Sequence, residues 1–259
     1  MDSNALFAQS VTPLQEECFK LLKAKQYKSC EILARMELAK ADTEGRDARV
    51  AWALLGDCAQ LTQQYRRAIS FYRRIQIFGS HKYRLKEAQC LQALGNVVEA
   101  SSVLETVPRE FRTLTIHMTL GHLYLASGRN SSASECFVES LVQNPYTLEA
   151  MEWLAVLGTE KSQVFEAVKT GFAQNGNDQS LVPVKELINA HFAKHRHQSA
   201  SSLQMFCKLE QEFPNNVYLL LKIATLQVGG LWERSNVSRL WMNVDVCLIV
   251  SLSLLYSIK

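Results

Sequence analysis

Three histidines crowd the stretch HFAKHRH: His191, His195 and His197. On a helix, His191 and His195 would share one face, the spacing that lets two imidazoles hold one divalent metal. Phe192 follows His191, so the H-E-x-x-H arrangement with its built-in base is absent. The repeat phase set out below places His195 and His197 in a turn between helices, where a solvated imidazole needs no ligand. His117 and His122 are five residues apart and diverge around a helix, which leaves them at most a ligand-contact role. The stretch GTEKS, Gly158–Ser162, lacks the glycine frame and the GK[ST] end of a phosphate loop. No nucleophile elbow, dinucleotide fingerprint or kinase signature is present. Neither a metal, a cofactor nor an enzymatic activity is expected.

The cysteines offer little more chemistry. Cys18, Cys30, Cys58, Cys90, Cys136, Cys207 and Cys247 form no C-x-x-C pair, and seven is an odd number. The start, MDSNALFAQSVTPLQEE, has no basic opening and no apolar run of signal-peptide length. Free thiols in a reducing, intracellular compartment are the expectation. The balance of 28 Lys and Arg against 25 Asp and Glu is too even for a nucleic-acid footprint. The pairs Arg66–Arg67 and Arg73–Arg74 read as a solvated helix face. With 47% hydrophobic residues, 5 Pro and 11 Gly, the chain can bury a core and does not look disordered or all-β.

The elements emerge from a period. Counting from Leu114, Gly121 is at position 8, Tyr124 at 11, Ala133 at 20, Phe137 at 24 and Pro145 at 32. These are the spacings of the tetratricopeptide repeat, a pair of antiparallel helices of about 34 residues. Positions 8 and 20 face each other where the helices cross, so both must be small. Positions 4, 7, 11 and 24 fill the space around them. Proline ends the second helix, Gly128 stops the first, and Ser and Asn start the next. A unit from Arg49 has Trp52, Leu55, Gly56, Ala68 and Tyr72 at positions 4, 7, 8, 20 and 24. A unit from His81 has Ala88, Ala100 and Leu104 at 8, 20 and 24, with Pro108 closing it early. A unit from Val11 puts Cys18 and Cys30 at the two crossing positions, which explains them better than reactivity does.

Further on the pattern weakens. A unit from Leu148 gives Ala155 and Ala167 without the turn glycine. A unit from Leu181 gives Leu187 at 7 and Ala200 at 20, and a last first-helix from Val217 gives Ala224 at 8. The expected plan is an extension over 1–10, about six and a half repeats over 11–230, and an aberrant apolar tail over 231–259. The uncharged run Val246–Ile258 is shorter than the ~20 apolar residues of a membrane helix. The tail therefore reads as a truncated or alternative end, or else as a divergent last helix. The fold class is all-α, a tetratricopeptide-repeat superhelical solenoid, with first helices lining an inner groove suited to proteins or peptides. Asp57, Gln60, Gln89, Gln92, His117, Met118 and His122 fall on that inner face. They make no Lys/Asn clamp for a peptide carboxylate.

One stretch carries more than the period. Lys82–Gly158 includes LKEAQCLQALG, VLETVPREFRT, IHMTLGHLY and NPYTLEAMEWLAVLG. It resembles the subunit 7 family of the anaphase-promoting complex, and YRRAISFYRRIQI and NNVYLLLKIATLQVGG fit the units on either side. The resemblance covers about Val11 to Gly230, and the tail departs from it. The connection KADTEGRDA is shorter than the insert some members carry. The resemblance implies a non-catalytic scaffold subunit of a ubiquitin ligase that marks mitotic regulators for degradation. It also implies homodimerisation through the N-terminal repeats and stacking on other repeat subunits. The competing expectation is a generic repeat adaptor that binds a peptide in its groove. Neither nucleic acid nor membrane is an expected partner.

Overall fold

The computed structural model describes residues 12–44, 48–76, 81–175, 181–195 and 198–234. Thirteen α-helices and one short 3₁₀ turn account for nearly all of them, and no strand occurs among the described residues. They fall into two compact units that divide after Arg129. The tail expected over 231–259 lies outside the described residues beyond Arg234, as does the extension over 1–10.

The first unit runs α1 (Pro13–Lys23), α2 (Tyr27–Glu44), α3 (Arg49–Leu61), α4 (Tyr65–Gln76), α5 (His81–Ala93), α6 (Val97–Glu105) and α7 (Leu114–Ala126). Each helix packs on its sequence neighbours, and α1 also touches α3. The start of α1 is written into Thr12-Pro13-Leu14-Gln15. Thr12 Oγ1 accepts the Gln15 N–H and Gln15 Oε1 accepts the Thr12 N–H, a reciprocal cap at 3.3 Å. Pro13 costs nothing there because a first-turn N–H has no helical partner. The helix pairs then turn by one device. The N–H groups of Gln26, Gln64, Asn96 and Arg129 reach back five residues to Leu21, Ala59, Leu91 and Tyr124, at 2.8–2.9 Å. The residue before each donor sits in the left-handed region: Lys25, Gln63, Gly95 and Gly128. Glycine takes that conformation freely, whereas Lys25 and Gln63 carry a Cβ penalty. α6 ends at Glu105, and Pro108 leads into the 3₁₀ turn Arg109–Phe111.

The second unit runs α8 (Asn130–Gln143), α9 (Leu148–Val156), α10 (Lys161–Asn175), α11 (Leu181–His195), α12 (Ser199–Glu212) and α13 (Val217–Arg234). Here the regular pairing is distorted. α9 is only 9 residues long, and its turn glycine is Gly158, at φ +71°, early in the unit. So the unit from Leu148 does have a turn glycine, displaced because its first helix stops short. α10 lies mainly against α8 instead of α9, and α9 reaches α11. Gly171 makes this possible. A Cβ there would stand 2.7 Å from both the Leu141 carbonyl and the Pro145 ring.

The crossing in α11–α12 also differs from the sequence reading. Ala200 is exposed. The small residues at the contact are Ala190 and Ser202, both 0% exposed, and the Ser202 hydroxyl donates to the Ala190 carbonyl at 2.7 Å. The twelve-residue spacing survives, but its phase has slipped by two.

Candidate functional site

Apart from Ala200, the small residues expected at the helix crossings are buried in both units. Cys18, Cys30, Ala68, Ala88, Ala100 and Ala133 are fully buried, as are Tyr72, Leu104 and Phe137. Leu55 and Tyr124 are buried, and so are Gly56, Gly121 and Pro145. Trp52 is only half-buried. Its ring lies 5.8 Å from Phe71, and the Arg74 guanidinium sits 4.4 Å over it. Gly56 shows why position 8 must be small, with an added detail. A Cβ on Gly56 would run into the Tyr72 ring, whose Cδ1 would be 2.8 Å away. At this crossing the glycine makes room for position 24.

Tyr72 in turn organises the first-helix face. Its hydroxyl lies 2.8 Å from both Asp57 Oδ1 and Gln60 Oε1. Asp57 Oδ1 also accepts from the Lys86 ammonium at 2.5 Å, and Gln60 Nε2 donates to Gln89 Oε1 at 3.5 Å. Asp57, Gln60 and Gln89 thus join α3 to α5 in one polar row. Burial, then the Asp57 charge, pushes the Tyr72 phenol far above its usual range; burial takes Tyr83 up to about 12. Gln92 is exposed, while Met118 and His122 are half-buried on α7. His117, read as a groove residue from its position, is 5% exposed and belongs to the core.

A second polar cluster had no sequence signal. Glu152 on α9 accepts from the Tyr218 hydroxyl at 2.5 Å and from the Lys222 ammonium at 2.8 Å, both on α13. His191 Nε2 on α11 lies 2.7 Å from the same Tyr218 hydroxyl and 3.8 Å from Glu152. Burial holds the His191 imidazole down at about 4, so it is neutral at pH 7. Burial works to raise the Glu152 carboxyl, but Lys222, Tyr218 and His191 together hold it below the usual carboxylate range. His195 is the last residue of α11, not a turn residue as the repeat phase suggested, and His197 lies outside the described residues. Among the described residues, no three His, Cys, Asp or Glu side chains are placed to hold a metal.

One arginine of each basic pair on α4 is held in an ion pair. Arg67 reaches Glu31 at 2.6 Å, and Arg73 bridges buried Glu87 at 2.7 Å and Glu99 at 2.5 Å. Exposed apolar side chains mark the first helix pair: Phe19, Ile32 and Met36 are 43%, 53% and 52% exposed. Ile32 and Met36 are four apart on α2 and so share a face. No helix among the described residues is long and apolar enough to cross a membrane.

No protein-family model matches the chain. Curated relatives do, and three carry the same name, anaphase-promoting complex subunit 7. The Arabidopsis thaliana protein is 28% identical over 162 residues, 59% of this chain and 28% of its own length. The Dictyostelium discoideum protein is 22% identical over 240 residues, 79% of this chain and 41% of its own. The human protein is 26% identical over 145 residues, 55% of this chain and 25% of its own. The chain thus spans well under half the length of the curated relatives it matches. Among solved structures, a tetratricopeptide repeat protein from Parabacteroides merdae superposes with a TM-score of 0.54 at 13% identity, covering 93% of this chain and 97% of that one. Pseudomonas aeruginosa pilF gives 0.53 at 16% identity, covering 83% and 96%. The fold is the all-α tetratricopeptide-repeat fold.

Proposed function

We propose that this chain is a non-catalytic scaffold component of the anaphase-promoting complex, a ubiquitin ligase, and acts in the nucleus and cytoplasm by holding other repeat subunits. The observation that carries the reading is its similarity to subunit 7 of a plant, a slime mould and a human. The repeat fold supports it, because stacked helix pairs present long surfaces and no cleft is required for such work. On this reading the first helix pairs also bring two copies together. Phe19, Ile32 and Met36 supply exposed apolar area for that contact. The groove row Gln60–Gln89 favours a second reading, an adaptor whose amides grip an extended peptide.

The test is affinity purification of the tagged chain from dividing cells, with light scattering on the purified chain. Recovery of ligase subunits in fixed ratio, and a dimer lost on Ile32→Glu/Met36→Glu, are the expected results. Absence of ligase subunits, with a monomer in solution, would overturn the reading and favour the peptide adaptor.

A further inference from the structure

Three thiols meet in the core of the first helix pairs. Cys18 on α1, Cys30 on α2 and Cys58 on α3 are 0%, 0% and 1% exposed within one apolar cluster with Ala34, Leu54 and Leu55. Cys18 and Cys30 occupy the crossing positions that hold Gly56 and Ala68, or Ala88 and Ala100, in the next pairs. The helices approach most closely there. Each thiol reaches the other residue's backbone: Cys30 Sγ is 3.3 Å from the Cys18 carbonyl, and Cys18 Sγ is 3.9 Å from the Cys30 carbonyl. A disulfide needs its two Cα atoms within about 7 Å and its Cβ atoms about 4 Å apart. Contact of each sulfur with the other residue's backbone brings the two cysteines side by side, and side-chain rotation would turn the sulfurs toward each other.

We propose that Cys18 and Cys30 form a reversible disulfide across the α1–α2 crossing by exchange with a low-molecular-weight disulfide. A transient mixed disulfide forms first; the second cysteine then displaces the small thiol. Two S–H bonds break and one S–S bond forms. The two protons and two electrons leave with the oxidant, which departs as two thiols. Both sulfurs are buried, so exchange proceeds through local opening. α1 is well placed for that, since α2 and α3 are its partners among the described helices. Burial and the neighbouring Cys30 push the Cys18 thiol up to about 12, which keeps the closed form unreactive. The bond therefore acts as a slow lock on the first helix pair.

The experiment uses the full reduced chain, incubated with rising ratios of oxidised to reduced glutathione in urea below the unfolding transition. Mass spectrometry maps the linked peptides, and thermal melting reads the consequence. A Cys18–Cys30 peptide pair lighter by two hydrogens is expected, with a Tm raised by roughly 5–10 °C. Dithiothreitol reverses both effects. Cys18→Ala, which restores the alanine used at the same position in α5, abolishes both; Cys58→Ala leaves both intact. No link at the highest ratio, a Cys30–Cys58 link in place of it, or a lower Tm in the linked chain would each overturn the proposal.

Discussion

Gly56→Ala separates two opposed effects in the middle of α3. In an open helix, alanine for glycine gains about 1 kcal/mol of propensity. At this site the new methyl group enters the Tyr72 ring, with Cδ1 2.8 Å away. Tyr72 is 0% exposed and its hydroxyl is held by Asp57 and Gln60 on the same helix, so the ring has no free direction to move. Overpacking a filled core costs about 1–3 kcal/mol, and losing a buried hydrogen bond to a carboxylate about 1–3 more. The net expectation is a loss of about 2–4 kcal/mol, or roughly 1 M in the urea midpoint for a unit of this size. Urea denaturation followed by far-ultraviolet circular dichroism reads it. The attribution to Tyr72 is tested with Tyr72→Leu, which clears the ring. In that background Gly56→Ala should cost less than about 1 kcal/mol, leaving a coupling above about 1 kcal/mol. Equal losses in both backgrounds would refute the reasoning, as would a stabilised Gly56→Ala chain.

Gly171→Ala should destabilise the second unit by more than about 2 kcal/mol, because two backbone carbonyls, which cannot rotate away as a side chain can, lie where the methyl would go; differential scanning calorimetry should show a lower transition. Gln63→Gly should raise stability by up to about 1 kcal/mol by removing a Cβ from the left-handed region, and Gly128→Ala should lower it by about 1 kcal/mol for the converse reason. Acid should weaken the second unit. His191 binds its proton at about 4 when folded but at 6.5 when unfolded, so stability is lost as pH falls from about 6.5 to 4. The two values imply a loss of about 3 kcal/mol over that window, and urea midpoints at pH 7 and pH 4.5 should show the drop. His191→Gln should flatten the slope but leave the contribution of Glu152, whose lowered carboxyl acts in the same direction.

The repeat class was legible because small residues twelve apart recur at a fixed period, and only close helix crossings impose that pattern. What escaped was set by contacts with no period. The need for Gly171 comes from α8, about thirty residues upstream, so no local pattern marks it. Ser202 was passed over for Ala200 because the unit start was taken at Leu181, and a slip of two changes the face of a helix. Gly158 escaped notice as a turn glycine because α9 stops at 9 residues, ahead of the repeat's usual turn. The Glu152–His191–Tyr218–Lys222 cluster joins residues up to 70 apart, and His191 alone looked like half of a metal pair. Nothing local in the sequence tells a histidine that packs against a tyrosine hydroxyl from one that waits for a metal.

The two polar clusters bear on how such a chain meets its partners. Lys86 and Lys222 are the cations of the two rows, and each already has a carboxylate, Asp57 and Glu152. Arg67 and Arg73 are likewise paired with Glu31, Glu87 and Glu99. A partner that sought these cations would first have to break an internal ion pair, and for the half-buried pairs that leaves an uncompensated charge. Groups already satisfied make the helices rigid; they contribute little new free energy to an encounter. Exposed apolar side chains have no such competitor. Association through Phe19, Ile32 and Met36 would therefore draw on buried area, which salt does not screen. On the proposed reading the first helix pair would be the adhesive part of the first unit, and the Asp57–Gln60–Lys86–Gln89 row part of the frame behind it.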